Sequence, residues 1–147
     1  MLNYKLLHPE ITAALAEAGH GAHVLIADGN YPFAVKCNPA ARRVYLNLAP
    51  DMLKVTEVLS VLTDAVPIES ARVMVPASGA EPPIFREFRA LLPRVELQPL
   101  GRFEFYDAAR SQDLALIIAT GERRVFANLL LTLGVVPPGR SHYKCLK

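Results

Sequence analysis

Residues 19–33 read GHGAHVLIADGNYPF, in which a short apolar segment lies between a glycine-flanked histidine and an Asp-Gly-Asn turn. The segment from His23 to Ala27 has the length and apolar character of a buried strand. His20 precedes this strand and Asp28 follows it, so each end carries a side chain that can hold or move a proton. A strand of this length keeps those two side chains at a fixed separation.

Helical and strand patterns alternate on both sides of this strand. Upstream, Pro9 is typical of the first turn of a helix, the apolar residues from Ile11 to Ala18 recur at helical spacing, and Gly19 ends the pattern. Downstream, the sequence predicts strands at 44–48, 73–75, 95–97 and 114–119, helices at 51–66, 82–92 and 102–110, and either a strand or a helix at 126–131. This alternation predicts an α/β fold with a largely parallel sheet flanked by helices.

The chain has 147 residues, which favours a single domain with a sizeable core. With 52% hydrophobic residues, 20% charged residues and a net charge of +2, it has no general attraction for nucleic acid or for a membrane surface. No apolar run is long enough to cross a membrane and the first residues lack a signal-peptide pattern, so the sequence predicts a cytoplasmic protein. Cys37 and Cys145 lie far apart without metal-ligand spacing, which predicts reduced thiols and no zinc site.

The sequence contains no glycine-rich phosphate-binding motif and no serine-hydrolase elbow. Nucleotide binding and serine hydrolysis therefore have no local support. In α/β sheets, ligands bind beside the carboxyl ends of the strands. Asp28 follows one predicted strand and residues 120–122 (TGE) follow another, so these two loops are the first candidates for a site.

His20 and Asp28 are the candidates for proton transfer. A histidine titrates near ~6.5, and the glycines on either side of His20 allow close approach of a ligand. Alternatively, His20 only caps the helix that ends before it. Asp28 either faces a ligand at the end of its strand or bonds its own backbone in the Asp-Gly turn.

Arg102 and Asn128 are the candidates for ligand binding. A guanidinium group can hold vicinal hydroxyls or a carboxylate, although Arg102 could instead pair with Glu104 or Asp107. Asn128 interrupts an apolar run, and a buried amide needs partners, which a ligand or a structural hydrogen bond could supply. The aromatic residues of 103–106 are more typical of a core than of a binding surface. An imidazole, a carboxylate, a guanidinium and an amide, without a metal cluster, suit a small polyhydroxy ligand.

Three stretches of the chain resemble a known family. Residues 8–33 (HPEITAALAEAGHGAHVLIADGNYPF), 101–109 (GRFEFYDAA) and 117–135 (IIATGERRVFANLLLTLGV) are similar to the D-ribose pyranase and L-fucose mutarotase family, RbsD/FucU. The GRFEFY segment is similar to the fucose mutarotase branch. The similarity runs from about Leu7 to Val136, nearly the whole chain.

The resemblance implies a single Rossmann-like α/β domain at 1–136, followed by a C-terminal tail at 137–147. It implies an isomerase that interconverts anomers or ring forms of a free, L-fucose-like monosaccharide, with no cofactor and no metal. It also implies self-association into a ring-shaped homo-oligomer, a decamer in this family, with the active site near a subunit contact.

The resemblance assigns roles to individual residues. His20 matches the catalytic histidine that donates a proton, Asp28 and Arg102 match sugar-binding residues, and Phe126, Ala127 and Asn128 match a substrate-binding strip. In the family this strip begins with a tyrosine, so Phe126 lacks a hydroxyl group that bears on the choice of sugar.

The strand after His20 is long enough to separate His20 from Asp28. Either the glycines bend His20 back, or a neighbouring subunit supplies one of the two groups.

The main alternative to a mutarotase is a non-catalytic monosaccharide-binding protein of the same fold. A ring protein with a relic pocket is a third hypothesis.

Overall fold

The computed structural model describes residues 1–138. These residues form four helices and six strands: α1 Pro9–Ala18, β1 His23–Ala27, β2 Arg42–Tyr45, α2 Val55–Ala65, β3 Ile68–Met74, α3 Phe85–Leu91, β4 Leu97–Leu100, α4 Arg102–Ala109, β5 Leu114–Ala119 and β6 Leu129–Leu133. Residues 139–147 of the predicted tail at 137–147 lie outside the described residues, and Cys145 is one of them. Cys37 is a buried free thiol.

The strands form one mixed sheet in the order β2-β5-β1-β6-β3-β4. The pairs β1–β5, β2–β5 and β3–β4 are parallel, whereas β6 runs antiparallel to β1 and β3. The predicted α/β fold with a largely parallel sheet is therefore confirmed, with β6 as its one reversed strand among the described residues. Because β6 is reversed, its first residue lies at the edge where the other strands end, and this brings Asn128 beside Asp28.

The core has two parts, one on each face of the sheet. Val24 and Ile26 of β1 point to the face that α1, α2 and α3 cover, and Leu25 and Ala27 point to the face that α4 and the loop after β1 cover. A central strand that is buried on both faces reads as a continuous apolar run, and this explains the sequence of β1.

Several predicted boundaries are wrong because tertiary contacts override local patterns. The strand predicted at 44–48 is β2, Arg42–Tyr45, and the helix predicted at 51–66 begins only at Val55. Asp51 and Leu53 have positive φ angles of 60° and 51°, which a helix does not allow. The loop between β2 and α2 folds over Gly121, where an added Cβ would collide with the carbonyl oxygens of Ala49 and Met52.

The boundaries of the later strands also differ from the prediction. Strand β3 covers Ile68–Met74, well before the predicted start at 73, and β4 covers Leu97–Leu100 rather than 95–97. Strand β4 tolerates Pro99 because it is the last strand in the sheet. The ambiguous segment at 126–131 becomes a strand, β6, that begins at Leu129. Within residues 1–138, no helix has the length and apolar character to cross a membrane.

Candidate functional site

Asp28 and Asn128 form a reciprocal pair at the carboxyl edge of the sheet. The Asn128 Nδ2 group donates to Oδ2 of Asp28 at 2.9 Å, and the backbone N–H of Asp28 donates to Oδ1 of Asn128 at 3.0 Å. The backbone N–H of Asn30 donates to the other carboxylate oxygen, Oδ1, at 2.9 Å. Both side chains are buried, at 2% and 4% exposure. The Asp-Gly turn and a structural hydrogen bond, raised as alternatives from the sequence, are therefore both present and together fix the carboxylate.

The surroundings of Asp28 change its acidity. Burial raises the pKa of the Asp28 carboxyl, and the hydrogen bonds from Asn30, Asn128 and the Ala127 backbone only partly oppose this rise. A carboxylate has about four acceptor positions, so the three described donors leave room for a ligand hydroxyl. Asp28 is thus a fixed acceptor whose raised pKa suits it to proton transfer.

A cavity of about 290 Å³ opens beside this pair. It is lined by Asp28, Asn30, Tyr31, Met74, Arg102, Tyr106, Val125, Phe126 and Asn128. Ligand pockets begin at about 300 Å³, so this cavity has the size for one small molecule. Polar side chains from three separate segments of the chain converge on it.

Arg102 enters this cavity from the first turn of α4. Within residues 1–138, its guanidinium group makes no ion pair. The carboxylate of Glu104 accepts from the backbone N–H of Gly101 at 2.9 Å, and Asp107 pairs with Arg110 at 3.1 Å. The pairing of Arg102 with Glu104 or Asp107 is therefore not observed, and its donors are free for a ligand.

Tyr106 also lines the cavity, whereas its sequence pattern is more typical of a core aromatic residue. It lies one helical turn after Arg102, so both side chains project from one face of α4 into the cavity. Its hydroxyl group donates to no residue among the described ones, whereas the hydroxyl of the neighbouring Tyr31 donates to the Lys36 carbonyl at 3.0 Å. The spacing of Arg102 and Tyr106 is the signal that could have identified it.

The strip at 126–128 divides between the site and the core. Phe126 lines the cavity and holds a positive φ of 61°, which is costly for a non-glycine residue. Ala127 is fully buried and packs in the core instead. The structure thus brings Asp28, Arg102, Phe126 and Asn128 together, but not Ala127.

His20 lies at the opposite edge of the sheet. Gly19 and Gly21 on either side of it have φ angles of 76° and 82°, and the N–H of Gly21 donates to the Leu133 carbonyl at the end of β6. The five residues of β1 separate the two edges by roughly 16 Å at about 3.3 Å per residue. The glycines do not bend His20 back, so within one chain it does not reach the Asp28 cavity.

A second groove, of about 830 Å³, lies at the edge where His20 is found. It is lined by Ala14, Glu17, Ala18, His20, Gly21, Ala22, Ala40, Arg42, Gln112, Asp113 and Ala115. The ring of His20 contacts Glu69, with 2.9 Å between Nε2 and Oε2. In the part of the chain that the structure describes, no three His, Cys, Asp or Glu side chains are placed to hold a metal ion.

Comparison with known proteins places this chain in a family. The model of the RbsD / FucU transport protein family matches residues 1–136. The chain belongs to the RbsD/FucU family. The resemblance stated from the sequence is thus confirmed. The chain is 32% identical over 148 residues to the fucose mutarotase of Danio rerio, with 90% of this chain and 92% of that protein covered. It is 31% identical over 153 residues to the fucose mutarotase of Mus musculus, with 93% and 95% covered.

Solved structures of this family share the fold. The fucose mutarotase of Streptococcus pneumoniae in complex with L-fucose has a TM-score of 0.79 at 26% identity, covering 93% of this chain and 100% of that one. RbsD of Bacillus subtilis complexed with D-ribose has a TM-score of 0.81 at 23% identity, with the same shares covered. At that lower identity the likeness supports the fold alone.

Proposed function

We propose that this RbsD/FucU-family chain is a sugar mutarotase, an isomerase that interconverts anomers or ring forms of a free, L-fucose-like monosaccharide. One observation carries the proposal: the small cavity at the carboxyl edge gathers a fixed buried carboxylate together with a guanidinium and a phenol that have no partner within residues 1–138. These groups match a ligand rich in hydroxyls. The curated relatives at 31% and 32% identity, which are named fucose mutarotases, support the choice of sugar.

Mutarotation needs two coupled proton movements. The anomeric hydroxyl loses a proton while the bond between C1 and the ring oxygen breaks and the ring oxygen gains a proton. The aldehyde then rotates and the same steps reverse, so no electron or group is gained or lost. Asp28 would hold the sugar hydroxyls or accept the anomeric proton, Arg102 would orient the sugar, and the Tyr106 hydroxyl is placed to exchange a proton in the same cavity. A positioned acid or base typically contributes about 10²–10⁴-fold.

His20 would complete this site from a neighbouring subunit. The reason is geometric, since the two edges of one sheet cannot meet around one sugar. Apolar side chains at the carboxyl edge support self-association, because Leu48 and Val125 are 83% and 63% exposed. We therefore propose a ring-shaped homo-oligomer in which each Asp28 cavity faces the His20 edge of the next copy. The number of ten subunits, the cytoplasmic location and the separate tail at 137–147 stay predictions.

A non-catalytic sugar-binding protein is the second candidate. Phe126 favours it, because this residue offers no hydroxyl group where the family strip begins with a tyrosine. A site that loses a hydrogen-bond partner loses selectivity between sugars, and it can lose rate as well.

Saturation-transfer NMR on free L-fucose and D-ribose separates the two candidates. We expect the wild-type chain to accelerate α/β exchange, His20→Ala to abolish the acceleration with binding largely kept, and Asp28→Asn to lose both. The matched control is His8→Asn, since His8 caps α1 away from both cavities and asparagine also caps helices. Line broadening by a bound sugar without any acceleration would instead indicate the binding protein.

A further inference from the structure

The ring of His20 has a partner in its own chain. Glu69 lies near the start of β3, and its Oε2 lies 2.9 Å from Nε2 of His20. A carboxylate only accepts hydrogen bonds, so Nε2 must carry the hydrogen. In a neutral imidazole the other nitrogen, Nδ1, is then the free acceptor.

The backbone holds both members of this contact in place. The loop of His20 is tied to β6 through the hydrogen bond of 2.9 Å between Gly21 N–H and the Leu133 carbonyl. Glu69 belongs to β3, which pairs with β6 on either side of it, at Ile68 with Leu133 and at Ser70 with Thr132. Gly134, just after β6, leaves room for Glu69, because a Cβ there would lie 3.3 Å from the Glu69 Cβ. The two side chains therefore start from neighbouring, paired segments.

Both side chains keep access to the surface, with exposed fractions of 58% for His20 and 47% for Glu69. An exposed ion pair of this kind adds little to stability, so its stabilising effect alone does not account for the arrangement. Fixing one ring nitrogen with a carboxylate is how proteins set the tautomer and orientation of a histidine that transfers protons.

We propose that Glu69 is a positioning residue that holds His20 with hydrogen on Nε2, so that Nδ1 is the atom that exchanges a proton with the substrate. This inference rests on the proposed function, in which His20 serves the sugar in the cavity of the next subunit. When the sugar ring opens, Nδ1 gives its proton to the ring oxygen as the bond from C1 to that oxygen breaks, and Asp28 accepts the proton of the anomeric hydroxyl. Ring closure reverses both transfers, so Nε2 keeps its hydrogen and its contact with Glu69 throughout, and the residues end each turnover unchanged.

The test compares Glu69→Ala and Glu69→Gln with the wild-type oligomer. In the wild type, ¹⁵N NMR of the histidine rings should show a protonated Nε2 and an unprotonated Nδ1 for neutral His20, assigned by the signal lost in His20→Ala. Glu69→Ala should lose this preference and lower kcat about tenfold with KM nearly unchanged, since general acid–base catalysis contributes about 10²–10⁴-fold in total. Glu69→Gln retains an acceptor and should keep much of the tautomer preference.

Asp64→Ala is the matched control, because Asp64 is an acidic residue of similar exposure that pairs with Lys5 and lines neither the His20 groove nor the Asp28 cavity. It should leave the His20 signals and kcat as in the wild type. Hydrogen on Nδ1 in the wild type, or an unchanged ring and kcat in Glu69→Ala, would overturn the inference. If the wild type accelerates no sugar's exchange, the proposed function fails, and the ring signals still show whether Glu69 sets the tautomer.

Discussion

The side-chain amide of Asn128 has two roles, and each can be tested by experiment. It satisfies the backbone N–H and the carboxylate of Asp28, and it lines the cavity. We expect Asn128→Ala to lower the free energy of unfolding by about 2–3 kcal/mol, because a buried charged acceptor loses its donor. We also expect it to weaken L-fucose binding at least tenfold, which urea unfolding and sugar titration would measure.

A second buried asparagine provides the control for this variant. Asn38 donates to the Leu114 carbonyl at 3.1 Å and accepts from the Ala40 N–H at 3.1 Å, away from the cavity. Asn38→Ala should therefore cost similar stability while leaving sugar affinity unchanged. Equal loss of affinity in both variants would mean that Asn128 acts only through stability.

The loop between β5 and β6 depends on a partly buried ion network. The carboxylate of Glu122 is buried and accepts from Arg124 at 2.8 Å and 3.0 Å, while Arg124 also pairs with Glu87 of α3. Burial alone would raise the pKa of Glu122, but the hydrogen bonds and charge of Arg124 outweigh it and hold that pKa below its ordinary value. Glu122 therefore contributes stability above about pH 4.3, and this is lost as the pH falls through the lower folded value.

Removing Arg124 should reverse this pH dependence. In Arg124→Ala the buried Glu122 carboxylate loses its ion-pair partner, so we expect a loss of about 3 kcal/mol at pH 7. Desolvation then raises the Glu122 pKa above the unfolded value, so the lost stability should return as the pH falls towards about 4.3. Urea unfolding between pH 7 and 4 measures both effects.

Glu87→Ala is the control for the network. It removes only the exposed ion pair between Glu87 and Arg124, so it should lower the free energy of unfolding by less than about 1 kcal/mol. A similar loss at pH 7 in Glu87→Ala and Arg124→Ala would contradict the assignment of the cost to buried Glu122. The network also bears on the site, since Phe126 follows Arg124 by two residues and holds a positive φ.

At the scale of the whole molecule, the separation of His20 from Asp28 predicts shared active sites. His20→Ala and Asp28→Asn should each be inactive alone. Mixed oligomers, refolded together from equal amounts, should recover about a quarter of the sites, because a head-to-tail contact joins different faces of neighbouring copies. Saturation-transfer NMR on L-fucose would measure the recovered rate.

The control mixture joins Asp28→Asn with the double variant His20→Ala/Asp28→Asn, so that every subunit carries the Asp28 defect. No subunit of that mixture carries an intact cavity, so no activity should return. Absence of recovery in the first mixture would contradict a site shared between neighbouring subunits, and recovery in the control mixture would show that the activity does not require Asp28.

Local patterns could predict those features of the fold that depend on residues close together in the sequence. The apolar run of β1, the proline and glycine at the ends of α1, and the alternation of helices and strands are such features. The start of α2 could not be predicted, because the positive φ angles of Asp51 and Leu53 depend on a loop that packs over Gly121. The strand at β6 could not be predicted either, because it depends on pairing with β1 and β3, which are far from β6 in the sequence.

The sequence by itself determined the α/β class, the family, and the residue types that carry the chemistry, because these follow from local periodicity and from matched motifs. Only the tertiary structure decided which of those residues meet. The reversed direction of β6 brings Asn128 to Asp28, and the helical turn from Arg102 adds Tyr106 to the same cavity. The extended length of β1 keeps His20 at the other edge beside Glu69, because a buried strand that is fixed on both sides cannot fold back on itself.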